Sequence, residues 1–272
     1  MIINKSSNII EFDTRNVTKE EINNLSIPPY LKNNVIHGVV KIDGEYYYAK
    51  YIDDVKMINE LIGTFLSTYI GLDTVDYKIG KSKNCMYALS KIFFLSDYEY
   101  YNVPAIYRLN PNNLIGSKDK LLHKLYLCKT DVIDRIKDKD LVDDVLKLIT
   151  LDLKMGQRDR HVNNVLLKKK DDKVSLAPIY DYGYSYMSDS RIGSDLYYDN
   201  PFIILRKNLL SVKGLLIKYP NIKKHIDKIC DIDIEEMLLE LEFLNGISFT
   251  KEEVDNIKNI DQENMKILKK ST

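Results

Sequence analysis

The sequence predicts an α+β fold in two lobes, a β-rich amino-terminal lobe followed by a helical carboxy-terminal one. Three observations carry this. Apolar and β-branched runs separated by turn signals crowd the first 95 residues. Beyond about residue 100 the apolar residues recur at helical spacing instead. The 272 residues suffice for a sizeable core and a cleft between two lobes, divided here as 1–95 and 96–272.

The elements follow in order. In 18-TKEEINNL-25, Thr18 is the expected N-cap of a short helix and Glu21 its capping-box partner, with Pro28-Pro29 stopping the helix. Residues 35–51, VIHGVVKIDGEYYYAKY, place two strand-like runs around Asp43-Gly44, a strong hairpin signal. In 55-VKMINELIGTFLSTYIG-71, Ile58, Leu61, Ile62, Phe65, Leu66 and Tyr69 share one helical face, and Gly71 stands where a helix ends. Strands are expected at 74–79 and 85–94, joined by a Gly-Lys-Ser-Lys-Asn turn. Helices are expected at 117–137, 140–155, 206–218, 221–230, 233–245 and 250–269, with Ser117, Asp140 and Thr250 as caps. One hairpin, 165–177, interrupts them, its charged tip running from Lys168 to Lys173.

Composition excludes several classes. Lys+Arg and Asp+Glu balance at 40 each, so no global field draws the chain to nucleic acid or an anionic membrane. Three scattered cysteines, Cys85, Cys128 and Cys230, form no disulfide framework and no zinc site. No apolar run reaches the roughly 20 residues a bilayer crossing needs. The amino terminus MIINKSSNII lacks a signal-peptide core, so the cytosol is the expected location, or delivery to a target cell by a signal-independent route. No pattern in the sequence specifies an oligomeric state.

The chemistry concentrates in 156-GQRDRHVNNVLL-167 and 178-PIYDYGYS-185. The order is helix, polar loop, hairpin, then Asp-x-Gly. Phosphoryl transfer from ATP uses such an arrangement. One carboxylate faces the attacking hydroxyl, while an amide oxygen and a second carboxylate share a metal that neutralises charge on the moving group. Asp159 and Asn164 have the five-residue spacing of a kinase catalytic loop, and Asp181-Tyr182-Gly183 stands where D-F-G would stand. Singly, each is an ordinary polar turn residue; together, with the hairpin between them, they specify the mouth of a cleft. The same chemistry requires a strand Lys and a helix Glu upstream, and Lys50 and Glu60 supply that order. Against this stand a solvent-facing edge lysine and an exposed helical glutamate. His161 either ties the loop to the core or touches the phosphoryl group. His37, His123 and His225 show no metal-ligand spacing. Ser185, Ser188 and Ser190 lie where an activation loop would run, as phosphate acceptors or, on the leading reading, as ordinary loop residues.

The inverted order Asp159-Arg160-His161, within G-x-x-D-R-H-x-x-N, resembles the HipA-like atypical serine/threonine kinases and the related phosphoinositide 3- and 4-kinases. The run 178-PIYDYG-183 and the segment 59-NELIGTFLSTYIGLDTVDY-77 are similar to the HipA-like group. The resemblance covers roughly residues 35–200 and implies a two-lobed protein-kinase-like fold binding ATP and Mg²⁺. It implies Asp159 as catalytic carboxylate with His161 beside it, Asn164 and Asp181 as Mg²⁺ ligands, and Lys50 on the ATP phosphates with Glu60 as its partner. Adenine would meet the backbone at Ser90-Lys91-Ile92, and Gly38 would lie in the phosphate-covering loop. That loop, 32-KNNVIHG-38, has one glycine and no G-x-G-x-x-G. A chain of 272 residues is expected to be a compact member, without the extra amino-terminal subdomain of full-length HipA toxins.

The implied activity is phosphorylation of a Ser or Thr hydroxyl of a protein. The alternatives are a phosphoinositide or small-molecule kinase, and a pseudokinase acting through a partner. Residues 184–200 hold Arg191 as their one basic residue among three aspartates, which disfavours a membrane lipid substrate.

Overall fold

The computed structural model describes residues 2–3, 9–14, 16–28, 38–103, 132–157, 159–160, 164–186 and 212–271. Its strands are β1 (Ile2–Ile3), β2 (Ile10–Glu11), β3 (Val39–Ile42), β4 (Glu45–Tyr51), β5 (Tyr77–Ser82), β6 (Cys85–Lys91), β7 (Glu99–Asn102), β8 (Leu166–Lys170), β9 (Lys173–Leu176) and β10 (Ile247–Ser248). Its helices are α1 (Lys19–Asn24), α2 (Asp54–Ile70), α3 (Lys139–Met155), α4 (Val212–Lys218), α5 (Ile222–Cys230), α6 (Ile234–Asn245) and α7 (Lys251–Ser271). The fold is α+β, a curled sheet with one long helix followed by a helical assembly.

The amino-lobe sheet has the order β2-β5-β6-β4-β3, antiparallel except where β2 runs parallel to β5. β3 and β4 turn at Asp43-Gly44, both left-handed at φ 50° and 84°, as the Asp-Gly pair predicts. The register sets Val39 against Tyr48 and Ile42 against Glu45. β4 then pairs with β6, Lys50 facing Ala88, so the candidate lysine lies on an interior strand, not an edge. Asp53 caps α2, its carboxylate accepting from the Lys56 N–H, and Gly71 ends the helix at φ 83°.

The apolar face of α2 carries Ile58, Leu61, Ile62 and Leu66 into a core continuous with α3 of the other lobe. At about 1.5–3 kcal/mol for each fully buried aliphatic side chain, this packing fixes the helix more firmly than propensity would.

Several boundaries differ from expectation. The strand expected at 74–79 begins at Tyr77, because Thr74 and Val75 pair with Ile179 instead. The turn after it contracts to Lys83-Asn84, and Gly80 lies inside β5, where a Cβ would meet Leu89 at 2.5 Å. The following strand ends at Lys91. α3 is capped by Asp138, not Asp140: the Asp138 carboxylate accepts from Asp140 N–H and Leu141 N–H at 2.9 and 3.0 Å. Thr18–Glu21 and Thr250–Glu253 both form capping boxes. The hairpin at 165–177 acquires a third strand, β7. β1 pairs with β10, so the start of the chain is tied to the carboxy lobe. Ser117 and Cys128 lie outside the described residues, as do 117–131 of the helix expected at 117–137, whose end is instead a 3-10 turn at Val132–Arg135. No helix among the described residues is long and apolar enough to cross a membrane.

Candidate active site

The site forms where β4, α2 and the segment after β9 meet. Lys50 Nζ lies 3.1 Å from Glu60 Oε1 and 2.5 Å from Asp181 Oδ1. One ammonium thus joins the strand and helix of the amino lobe to the Asp-Tyr-Gly segment of the other lobe. Glu60 is 0% exposed, and its second oxygen accepts from the Tyr182 N–H at 2.8 Å. Burial acts against the charge of Lys50, but Glu60 and Asp181 outweigh it and raise the ammonium pKa. Burial raises Glu60, and Asp181 adds to that, while Lys50 and the Tyr182 N–H oppose it.

Asp181 itself has φ 63°, a left-handed backbone that non-glycine residues adopt at a cost and Asp tolerates best alongside Asn. Its N–H donates to the Tyr77 hydroxyl at 3.2 Å and its carbonyl accepts from Gln157 Nε2 at 2.8 Å. Tyr182 points inward. Its ring rests on Gly63, where a Cβ would sit 2.1 Å away, and its hydroxyl bonds Ser67 and Thr74 at 2.7 and 2.8 Å. Asn59 Nδ2 holds the Gly183 carbonyl at 3.0 Å. α2 therefore grips Tyr182 and Gly183, while Asp181 is held from outside that helix by Lys50, Tyr77 and Gln157.

The loop after α3 starts where Gly156, at φ 64°, ends the helix. Asp159 donates its N–H to Gln157 Oε1 at 3.1 Å, and its carbonyl accepts from Asn164 Nδ2 at 2.7 Å. Arg160 is 0% exposed. Its Nε donates to Asp152 on α3 at 3.1 Å, and an Nη donates to the carbonyls of Tyr180 at 2.6 Å and Asn164 at 3.3 Å. The guanidinium carbon lies 5.2 Å from the Tyr182 ring centroid. A buried cation thus splices the loop to the strand ends that carry Asn164 and Asp181.

The structure brings Lys50, Glu60, Asp159, Asn164 and Asp181 into one bonded network. Ser90 sits in the sheet between Tyr48 and Tyr77, Lys91 pairs with Glu45 at 2.9 Å, and the Ile92 N–H donates to the Tyr46 carbonyl. Just beyond, the Phe93 carbonyl accepts from, and the Leu95 N–H donates to, the Tyr100 hydroxyl, both at 3.1 Å. Gly38 stands just before β3, where a Cβ would meet the Tyr48 ring at 2.5 Å. His161 lies outside the described residues, as do 29–37 and Ser188 and Ser190.

No protein-family model and no curated protein matches the chain. Solved structures do. A Helicobacter pylori proinflammatory kinase, CtkA, aligns with a TM-score of 0.60 at 13% identity, over 86% of this chain and 88% of that one. A chain of the Shewanella oneidensis MR-1 toxin–antitoxin complex of HipA, HipB and operator DNA aligns with a TM-score of 0.54 at 11% identity. That alignment covers 86% of this chain and 62% of the other. The chain shares its fold with CtkA and HipA.

Within this HipA-like fold the donor set suits a hard cation. Among the described residues no three His, Cys, Asp or Glu side chains converge as a metal cage. Mg²⁺ asks for less, one or two carboxylates completed by substrate phosphates and water. Asp181 offers a carboxylate and Asn164 an amide oxygen, its Nδ2 donating to the Asp159 carbonyl. Gln157, Arg160 and Tyr77 were not singled out by sequence reasoning. Gln157 and Arg160 flank the motif aspartate, yet only the fold places their polar ends on backbone atoms.

Proposed function

We propose that this protein transfers the γ-phosphoryl group of ATP, in the presence of Mg²⁺, to a Ser or Thr hydroxyl of a protein. The observation that carries the reading is the Lys50 ammonium held between Glu60 and Asp181, 3.1 and 2.5 Å away, across the two lobes. Asp159 receives the proton of the attacking hydroxyl and orients its oxygen. Lys50, kept charged by its two carboxylates, neutralises the phosphate tail. Asn164 and Asp181 hold the metal, which when bound neutralises charge on the phosphoryl oxygens. Glu60 keeps Lys50 in place and does not touch substrate. Little covalent help is needed, since this chemistry depends on positioning and charge. The likeness to CtkA, a kinase, supports the same reading.

The test is transfer of labelled γ-phosphate from Mg-ATP by the wild type, Asp159→Asn and Asp181→Asn. Each is assayed alone, with a mixed protein lysate and with phosphoinositide vesicles. Label on Ser or Thr, reduced roughly 100-fold or more in both variants, is the expected result. Label confined to lipid replaces the protein substrate with a lipid one. Nucleotide binding without any label overturns the enzymatic reading.

A further inference from the structure

We propose that Gln157 is a positioning residue that sets the separation between Asp159 and Asp181, an assignment that rests on the phosphotransfer reading above. Its side chain is 2% exposed and spends both ends of one amide. Nε2 donates to the Asp181 carbonyl at 2.8 Å, and Oε1 accepts from the Asp159 N–H at 3.1 Å. The amide is planar, so its two polar atoms have a fixed distance between them, and the two backbone segments inherit it.

The Asp159 peptide is thereby gripped at both ends, its N–H by Gln157 and its carbonyl by Asn164 at 2.7 Å. Asp181 is held in turn by Tyr77 on its N–H and by Gln157 on its carbonyl, in a left-handed backbone at φ 63°. The Gln157 side chain touches the backbone of both Asp159, the proton-accepting residue, and Asp181, the metal-side residue. A glutamate would lose the donor, a methionine both bonds, and an asparagine is one methylene short of reaching both segments. Gln157 touches neither hydroxyl nor phosphate in this scheme and acts through the residues it spaces.

The experiment uses the full chain carrying Gln157→Met or Gln157→Asn, beside wild type and Asp159→Asn. Four quantities are read: kcat, KM for ATP, the Kd of Mn²⁺ with a non-hydrolysable ATP analogue by electron paramagnetic resonance, and Asp159 amide exchange in the metal-free protein. The expected result for Gln157→Met is a kcat lowered roughly 10- to 100-fold, as a displacement near 1 Å would give, with KM for ATP within about threefold. Mn²⁺ binding weakens about three- to tenfold, and Asp159 amide exchange accelerates. Gln157→Asn, which keeps an amide there, lowers kcat in the same direction with Tm unchanged.

An active wild type silenced by Asp159→Asn, with both Gln157 variants unchanged in kcat and Mn²⁺ affinity, overturns this assignment alone. Losses that track the unfolded fraction in both variants overturn it too. A wild type that neither transfers label nor binds Mn²⁺ with the analogue overturns the phosphotransfer reading, and this assignment with it.

Discussion

Lys50 answers to two carboxylates at once, and Glu60 has no exposed surface through which water could take the lysine's place. Removing the ammonium leaves a buried charge facing Asp181, a more expensive state than the absence of the whole pair. Lys50→Met is therefore expected to destabilise the fold by about 3 kcal/mol at neutral pH, measured by urea unfolding. Adding Glu60→Gln should recover part of that loss, since an amide needs no counter-charge. Burial raises the Glu60 pKa, so the cost of Lys50→Met shrinks as acid protonates it. A cost near zero, or a double variant worse than the sum, would sink the account. The structure joins these five residues in one network, and their order and spacing, which resemble those of a kinase site, were legible in the sequence. Gln157, Arg160 and Tyr77 were not. Their work is done by side-chain reach to carbonyls and N–H groups, and no spacing along a sequence encodes reach.

Between elements, α3 and α5 are joined by Asp143 Oδ1 and His225 Nε2 at 3.0 Å, with Lys224 adding a second contact at 2.6 Å. Burial lowers the His225 pKa below 6.5 despite the Asp143 carboxylate. Burial works to raise Asp143, yet Lys224 and His225 prevail and bring it down to about 2. The signs agree. A base with a depressed folded pKa takes its proton more readily when unfolded, so stability falls as pH drops below 6.5. The Asp143 contribution, intact above 3.8, is lost as pH falls from there toward about 2. Thermal unfolding of wild type and His225→Gln between pH 7 and 5 should show a decline in Tm that the variant lacks. Parallel curves would refute it. Helix spans were legible at this scale where apolar period and a glycine stop agree, as they do in α2 with Gly71. Caps were less so: Asp138 and Asp140 are equally good letters, and only the path of the chain selects the first. β7 reads Glu-Tyr-Tyr-Asn and becomes a strand only because β8 offers it an edge.

For the molecule as a whole, the active-site network is also a joint between lobes, so occupying it should stabilise both together. On the phosphotransfer reading, Mg-ATP at about 100 times its Kd should contribute about 2.7 kcal/mol to the folded state. In a chain of this size that is a Tm increase of roughly 5 °C. Scanning calorimetry should show the rise in the wild type and a much smaller one in Asp181→Asn. An equal rise in both would place the nucleotide elsewhere. The two-lobed plan was legible because strand-like and helix-like periods segregate along the chain. The pairing of β1 with β10 was not, because two residues carry no period and their partners lie at the other end of the sequence.

The left-handed backbone at Asp181 also limits how this position can drift over generations. Glycine, asparagine and aspartate occupy such a conformation at least cost, and of these only aspartate carries a charge. Either aspartate codon becomes an asparagine or a glycine codon by one nucleotide change. The substitutions the backbone accepts most readily are thus the ones that remove the carboxylate. A descendant with its scaffold intact and its carboxylate gone lies one such step away.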